Sequence, residues 1–345
     1  MNKNILNLKK YETDNYRYKY KLNANESPFN IDQELLEKIA LGFKCINFNR
    51  YPDPDALMLR KELSNYIKTD YENIMVGNGS DELISIIINS FLSENDLILT
   101  HGPTFSMYQI LTKVKGSKFL EIPFKNLDID IDKIIEAANK NKAKMIILCS
   151  HNNPTGAVIS KSDILKVLTN TNAYVLVDEA YIEFGGDSVV DEIYNYDNLI
   201  VLRTLSKAFG LAGIRLGYLV SSKDIVDILL RVKAPYNVNR ISQYVAIELI
   251  KNREEINNKI NIIINEREKL FKELKDIDGL YVYPSKGNFL LIKTNKSKYV
   301  FEKLLENKIL VRNFNSSLLK DCLRITVGSS KENKILINVL RDVMK

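Results

Sequence analysis

Residues 173–215 read AYVLVDEAYIEFGGDSVVDEIYNYDNLIVLRTLSKAFGLAGIR. Two short apolar runs, AYVLVDEA and LIVLRTLS, end in polar residues, and Lys207 follows the second run 29 places after Asp178 closes the first. Short runs rich in Val, Leu and Ile, bounded by polar or glycine-containing turns, read as buried strands. The pattern recurs on both sides: ENIMVGNG, DLILTHG, KMIILCS and GYLVSS read as strands, and DELISIIINSFL and KSDILKVLTN as helices between them. This alternation, from about residue 34 to 235, predicts an α/β fold with a mostly parallel sheet flanked by helices. In such open sheets ligands gather at the carboxyl ends of the strands, where Asp178 and Lys207 fall.

At 345 residues the chain exceeds the usual size of a single core, which predicts a large lobe with a smaller one. The stretch from about 239 to 275 is charged, helically periodic and free of Pro and Gly, so it reads as a connecting helix or helix pair. Beyond it LYVYPSKGNFLLIKT, KYVFEKLLEN, ILVRNF, CLRITVGS and KENKILINVLRDVMK mix strand and helix patterns, predicting a small α+β lobe. The expected division is an arm over 1–33, a large cofactor-binding domain over 34–238, and a connecting helix with the small domain over 239–345.

Composition excludes several classes. Hydrophobic residues make up 45% and charged residues 27%, ordinary values for a globular protein. The net charge of +6 comes from lysines and arginines interspersed with acids, without a run of five like charges, so no nucleic-acid partner is expected. Cys45, Cys149 and Cys322 are widely spaced, suggesting neither a disulfide framework nor a metal site, and a reducing cytoplasm is expected. No stretch approaches the ~18 apolar residues of a membrane span, and the first twenty residues lack the apolar core of a signal peptide.

Lys207 and Asp178 together fit one chemistry. A lysine that forms a Schiff base with an aldehyde cofactor needs a partner that keeps the cofactor's pyridine nitrogen protonated, because the electron sink depends on that charge. A buried aspartate at a strand end supplies it, although alone it is equally a helix N-cap. Tyr181, three residues on, and Asn153 in HNNPTG are candidates to hydrogen-bond the phenolic oxygen of pyridoxal 5'-phosphate. Gly79, Ser80 and Asp81 in VGNGSDELI lie between a strand and a helix, where free N–H groups and the helix dipole favour a phosphate; a plain cap is the alternative. Ser206 and Arg215 would complete that cup. Phe105 in GPTFSMY is placed to stack on the ring or to pack in the core. Tyr51, in a proline-rich turn, is a surface residue or an arm reaching a neighbouring subunit. Arg324, within the apolar run CLRITVG, requires an anionic partner such as a substrate carboxylate or phosphate.

YPDP, GNGSDE, PTFSMY, HNNPTG, VDEAYIEF and TLSKAFGLAGIRLGY, in this order, resemble the fold-type I pyridoxal-phosphate aminotransferases, most closely the histidinol-phosphate aminotransferases. The resemblance runs from NANESP near residue 23 to LRITVG near 323. It implies that Lys207 carries the cofactor and then moves the substrate proton, that Asp178 pairs with the ring nitrogen, and that Tyr181 and Asn153 hold the phenolic oxygen. It further implies a phosphate site of Ser80, Ser206 and Arg215, stacking by Phe105, and a homodimer in which Tyr51 serves the partner's site. Arg324 would hold the anionic end of each substrate, with Arg312 as a second; Asn25 and Glu26 match the family's NENPYG, here NESPFN. His151 replaces a proline of the usual NPNNPTG, and His151 and His101 are expected to cap or pack.

The resemblance implies transfer of an amino group from L-histidinol phosphate to 2-oxoglutarate. A phosphothreonine-type decarboxylase and a broader aromatic aminotransferase remain alternatives, since both would share Lys207 and Asp178. A regulator built on this fold would carry an added DNA-binding domain, for which the residues ahead of NANESP are too few.

Overall fold

The strand runs read from the sequence assemble into one seven-stranded sheet in a computed structural model that describes residue 8 and residues 16–124, 128–314 and 317–345. Most of the first half of the expected arm lies outside these residues. After the short β1 (Tyr20–Leu22) come β2 (Ile74–Gly77), β3 (Leu97–Gly102), β4 (Lys118–Pro123), β5 (Met145–Cys149), β6 (Tyr174–Asp178), β7 (Leu199–Thr204) and β8 (Gly217–Ser221). The large sheet has the order β2-β8-β7-β6-β5-β3-β4, with β8 antiparallel to both its neighbours and the other pairs parallel.

Both faces of the central strands are buried, and period-two alternation divides their side chains between two cores. Ile146, Leu148, Val175, Val177 and Val201 pack into one cluster, while Ile147, Cys149, Leu176, Ile200 and Leu202 pack into the other. This explains why the runs read as continuously apolar. The edge strand β4 is only half-buried and ends in Pro123, a residue compatible with an edge because it cannot donate to a ladder. It has no such signature and went unread.

The helices are α1 (Gln33–Phe43), α2 (Leu57–Ile67), α3 (Ser80–Phe91), α4 (Ser106–Lys115), α5 (Ile131–Asn141), α6 (Lys161–Asn170), α7 (Lys223–Val232), α8 (Arg240–Lys251), α9 (Arg253–Lys275), α10 (Ser297–Glu306) and α11 (Ser330–Met344). The periodic stretch 239–275 is thus a pair of helices, parted at Asn252. In α3 the buried side chains are Leu83, Ile84, Ile87 and Ile88, an i, i+1, i+4, i+5 stripe that fixes one helix face on the sheet. Burying each contributes roughly 1.5–3 kcal/mol, and this holds the first turn of α3 at the end of β2.

A second sheet has the order β1-β11-β12-β10-β9, formed with β9 (Tyr281–Val282), β10 (Phe289–Lys293), β11 (Ile309–Asn313) and β12 (Cys322–Thr326). β1 runs parallel to β11, so the segment around residue 20 is tied to the C-terminal part of the chain. Arg312 on β11 lies opposite Arg324 on β12 in the strand register. α11 begins with a full capping box, Ser329 and Glu332 each bonding the other's backbone, which satisfies two of its orphan N–H groups.

Candidate active site

The loops after β2, β5, β6 and β7 converge on one cavity. Its walls hold Ser80, Asp81, Phe105, Asn153, Asp178, Tyr181, Ser206, Lys207 and Arg215, all expected from the sequence, together with Cys149, Ala180 and Thr204.

Asp178 is the last residue of β6 and is 5% exposed. Its Oδ1 accepts the Ala180 N–H at 3.0 Å and its Oδ2 the Tyr108 hydroxyl at 2.5 Å. Burial raises the carboxyl to about 6; the Tyr108 and Ala180 hydrogen bonds oppose this, while Asp81 and Glu179 reinforce it. Behind it, Arg203 Nε donates to Glu179 Oε2 at 2.9 Å, and both side chains are buried. Glu179 also accepts from Ser188 and the Val189 N–H, each at 2.8 Å. This satisfied ion pair ties the end of β6 to β7 and so sets Asp178 relative to Lys207. Removing one partner from such a buried pair costs about 3–5 kcal/mol.

Lys207 follows β7, and its Nζ donates to the Ala24 carbonyl at 3.0 Å and lies 5.9 Å from the Tyr181 ring centroid. Burial lowers its pKa to about 8, and Arg324 adds to the effect, opposed by Glu26 and Asp81. Burial also raises the Tyr181 phenol to about 12, so the group is a neutral donor. Its oxygen accepts from Asn25 Nδ2 at 2.9 Å, which leaves its own proton for another acceptor. Asn153 Oδ1 accepts from Arg324 at 2.5 Å, which orients the amide and leaves Nδ2 as its donor.

At the other end of the cavity Gly79 precedes α3 with φ of +82°, and no side chain caps the helix. The conformation favours glycine there, and a Cβ would stand 2.7 Å from an Arg215 guanidinium nitrogen, a contact the flexible side chain could relieve. Arg215 itself sits in the left-handed region at φ of +56° and lies 3.4 Å from Asp81. That pair is about half-exposed and contributes no more than ~1 kcal/mol, so an anion at the helix end competes readily for the guanidinium. Ser206 is buried and lines the same space.

The remaining candidates lie around this cavity. Arg324 is 7% exposed and also donates to the Asn23 carbonyl at 2.6 Å. Asn25 is buried at φ of +53°, and its backbone N–H donates to Thr326. Arg312 is on the neighbouring strand, outside the cavity walls. Tyr51 is 75% exposed, stacks on Tyr236 at 4.5 Å and is held through its carbonyl by Arg240, away from this chain's own cavity. His101 and His151 are fully buried and burial lowers them to about 3 and 4, so both are neutral. His101 Nε2 accepts the Cys149 N–H at 3.0 Å and its ring stacks on Phe124, a packing role.

Sequence reasoning missed Tyr108. It lies within PTFSMY, three residues from Phe105, so both project from the start of α4 on neighbouring positions. A tyrosine on the helix face shared with Phe105 and Leu111 was the available signal, since a buried hydroxyl requires a partner.

The sequence model of the family "Aminotransferase class I and II" matches residues 17–340. The chain is 46% identical over 345 residues, 99% of its length and 97% of the relative's, to a histidinol-phosphate aminotransferase of Caldanaerobacter subterraneus subsp. tengcongensis. It is 46% identical over 98% of its length and 96% of the relative's to that of Clostridium novyi. In fold it is similar to the crystal structure of histidinol-phosphate aminotransferase from Sinorhizobium meliloti in complex with pyridoxal-5'-phosphate. The TM-score is 0.89 over 95% of this chain and 91% of that one, at 22% identity. The fold is that of the type I aminotransferases, and by a match that spans nearly its whole length the chain belongs to the class I and II aminotransferases.

Proposed function

We propose that this protein transfers the amino group of L-histidinol phosphate to 2-oxoglutarate, giving 3-(imidazol-4-yl)-2-oxopropyl phosphate and L-glutamate, a step of histidine biosynthesis in the cytoplasm. The near full-length similarity to histidinol-phosphate aminotransferases carries the choice of substrate.

The cavity fits pyridoxal 5'-phosphate by the chemistry of its walls. Asp178, a buried acid with both oxygens already accepting one hydrogen bond, suits a cationic ring N–H. Tyr181 and Asn153, with their other polar atoms engaged, have donors left for the phenolic oxygen. The uncapped start of α3, Ser80, Ser206 and Arg215 suit a phosphate, and Phe105 suits a ring face. When bound, the cofactor supplies an electron sink conjugated to the amine's Cα–H bond. Lys207, with its pKa near 8, has a far larger neutral fraction at physiological pH than an ordinary lysine. Its Nζ would therefore be able to hold the cofactor's aldehyde carbon and, once released by substrate, would take the proton from the substrate Cα and deliver it to the former aldehyde carbon, the 1,3-shift that amino transfer needs. Arg324, with Arg312, would receive the anionic end of each substrate in turn.

The reading includes a homodimer in which Tyr51 of each protomer reaches the cofactor phosphate of the other. Leu41, Phe48, Tyr51 and Met58 are 62%, 68%, 75% and 58% exposed. These apolar side chains, close together in the chain, support a covered surface there.

Side-by-side assays test the substrate. Histidinol phosphate with 2-oxoglutarate should give glutamate at a kcat/KM at least about a hundredfold above phenylalanine, the discrimination expected of a site built for the phosphate. Release of carbon dioxide from phosphothreonine, without glutamate formation from histidinol phosphate, would replace the reading with a decarboxylase.

A further inference from the structure

The phenol of Tyr108 has no exposed surface and makes one short hydrogen bond, to an oxygen of Asp178. From this geometry we infer that Tyr108 is a positioning residue: its hydroxyl fixes the orientation and the ionised state of Asp178, and so sets how strongly the site grips a protonated pyridine ring. The inference rests on the proposed cofactor reading.

Three observations carry it. First, the direction of the bond is fixed, because burial and the neighbouring Asp178 hold the Tyr108 phenol well above its usual range. It is therefore a donor, and the oxygen it touches must accept. Second, Asp178 has two anchors on different elements: Oδ1 takes the Ala180 N–H from its own loop, and Oδ2 takes the phenol of α4 at 2.5 Å. Two donors on two oxygens define the carboxylate plane, whereas the Ala180 bond alone leaves it free to rotate. Third, the surroundings otherwise oppose a charge. Cys149 on β5 is buried with its thiol pushed up to about 12 by burial, and Asp81 on α3 and Glu179 beside Asp178 repel it. Lys207 and Arg215 are the cations among the wall residues, and neither bonds Asp178 directly. A buried carboxylate that loses a charge-assisted donor protonates instead, and a protonated acid no longer attracts a ring cation.

Tyr108 is supplied by α4, which packs against α3 and β4. Its Thr112 hydroxyl bonds the Tyr108 carbonyl at 2.6 Å, and the Phe105 ring meets Tyr108 edge-on at 5.5 Å. The residue that would cover the cofactor ring and the one that fixes its counter-charge thus share one helix start.

The test compares pyridoxal 5'-phosphate with its carbocyclic analogue, in which the ring nitrogen is replaced by C–H, binding to full-length apoprotein. Wild type should bind the pyridine form more tightly than the analogue. Tyr108→Phe should weaken the pyridine form by about tenfold, as expected for loss of a charge-assisted bond, and leave the analogue unchanged. Tyr108→His, which restores a ring N–H, should recover part of the preference, and in an Asp178→Asn background Tyr108→Phe should have no further effect. Equal weakening of both ligands would mean a merely structural role, and no change in either would overturn the inference; unaltered preference in Tyr108→His and Tyr108→Phe alike would do the same. Failure of wild type to bind either ligand would instead strike the cofactor reading itself.

Discussion

At the scale of single residues, the proposed chemistry depends on a lysine whose charge is costly where it sits. Burial and Arg324 lower Lys207 to about 8 from the usual 10.5, and the neutral amine is the form that attacks an aldehyde. Capture of pyridoxal 5'-phosphate by apoprotein should therefore accelerate as pH rises through about 8 and level off above it. Arg324→Gln removes a charge that disfavours the ammonium, so the midpoint should move upward; stopped-flow absorbance across pH reads both. A wild-type midpoint at the ordinary lysine value would contradict the burial argument. Lys207, Asp178, Asn153 and Arg215 were legible in the sequence because each falls at a strand end or in a glycine-containing turn that an α/β pattern directs toward ligand. Tyr108 was not, because its role depends on a residue 70 positions away. Nor was the clamp of Asn25 on Tyr181, which spans 156 positions and joins the start of the chain to the loop after β6.

At the scale of elements, the proposed phosphate end depends on how closely β8 approaches the first turn of α3. Gly217 opens β8, and a Cβ there would stand 2.6 Å from the Ser80 nitrogen and 2.8 Å from the Gly79 carbonyl carbon. Both are backbone atoms, so the helix start must shift rather than a side chain give way. Gly217→Ala should cost roughly 1–3 kcal/mol of stability, the range of overpacking, visible as a lower thermal midpoint. It should also weaken pyridoxal 5'-phosphate more than pyridoxal, which lacks the phosphate. Equal loss for both ligands would show that the turn does not serve the phosphate. The central strands were legible because two-sided burial makes them continuously apolar. β1, three residues long, and β4, half-buried at an edge, carry no such pattern. The two helices over 240–275 read as one long periodic stretch because Asn252 parts them without a glycine or proline.

At the scale of the whole molecule, two sheets share the site. Residues 23–25 bond Arg324, Lys207 and Tyr181, so the small sheet's β12 and the strand ends of the large sheet are joined through one segment near the start of the chain. If Tyr51 serves the partner's cup, Tyr51→Ala and Lys207→Ala proteins, each poorly active, should complement on mixing. A heterodimer then holds one intact site, and statistical exchange should restore roughly a quarter of wild-type activity. No recovery, with exchange verified by native mass spectrometry, would place Tyr51 outside the partner's site. The account rests above all on one lysine in a lysine-rich chain, and reduction of the cofactor-loaded protein with borohydride, followed by digestion and mass spectrometry, interrogates every lysine at once. The predicted result is a single stable cofactor adduct on the peptide carrying Lys207, absent from Lys207→Ala; an adduct on any other lysine, with Lys207 unmodified, would contradict it.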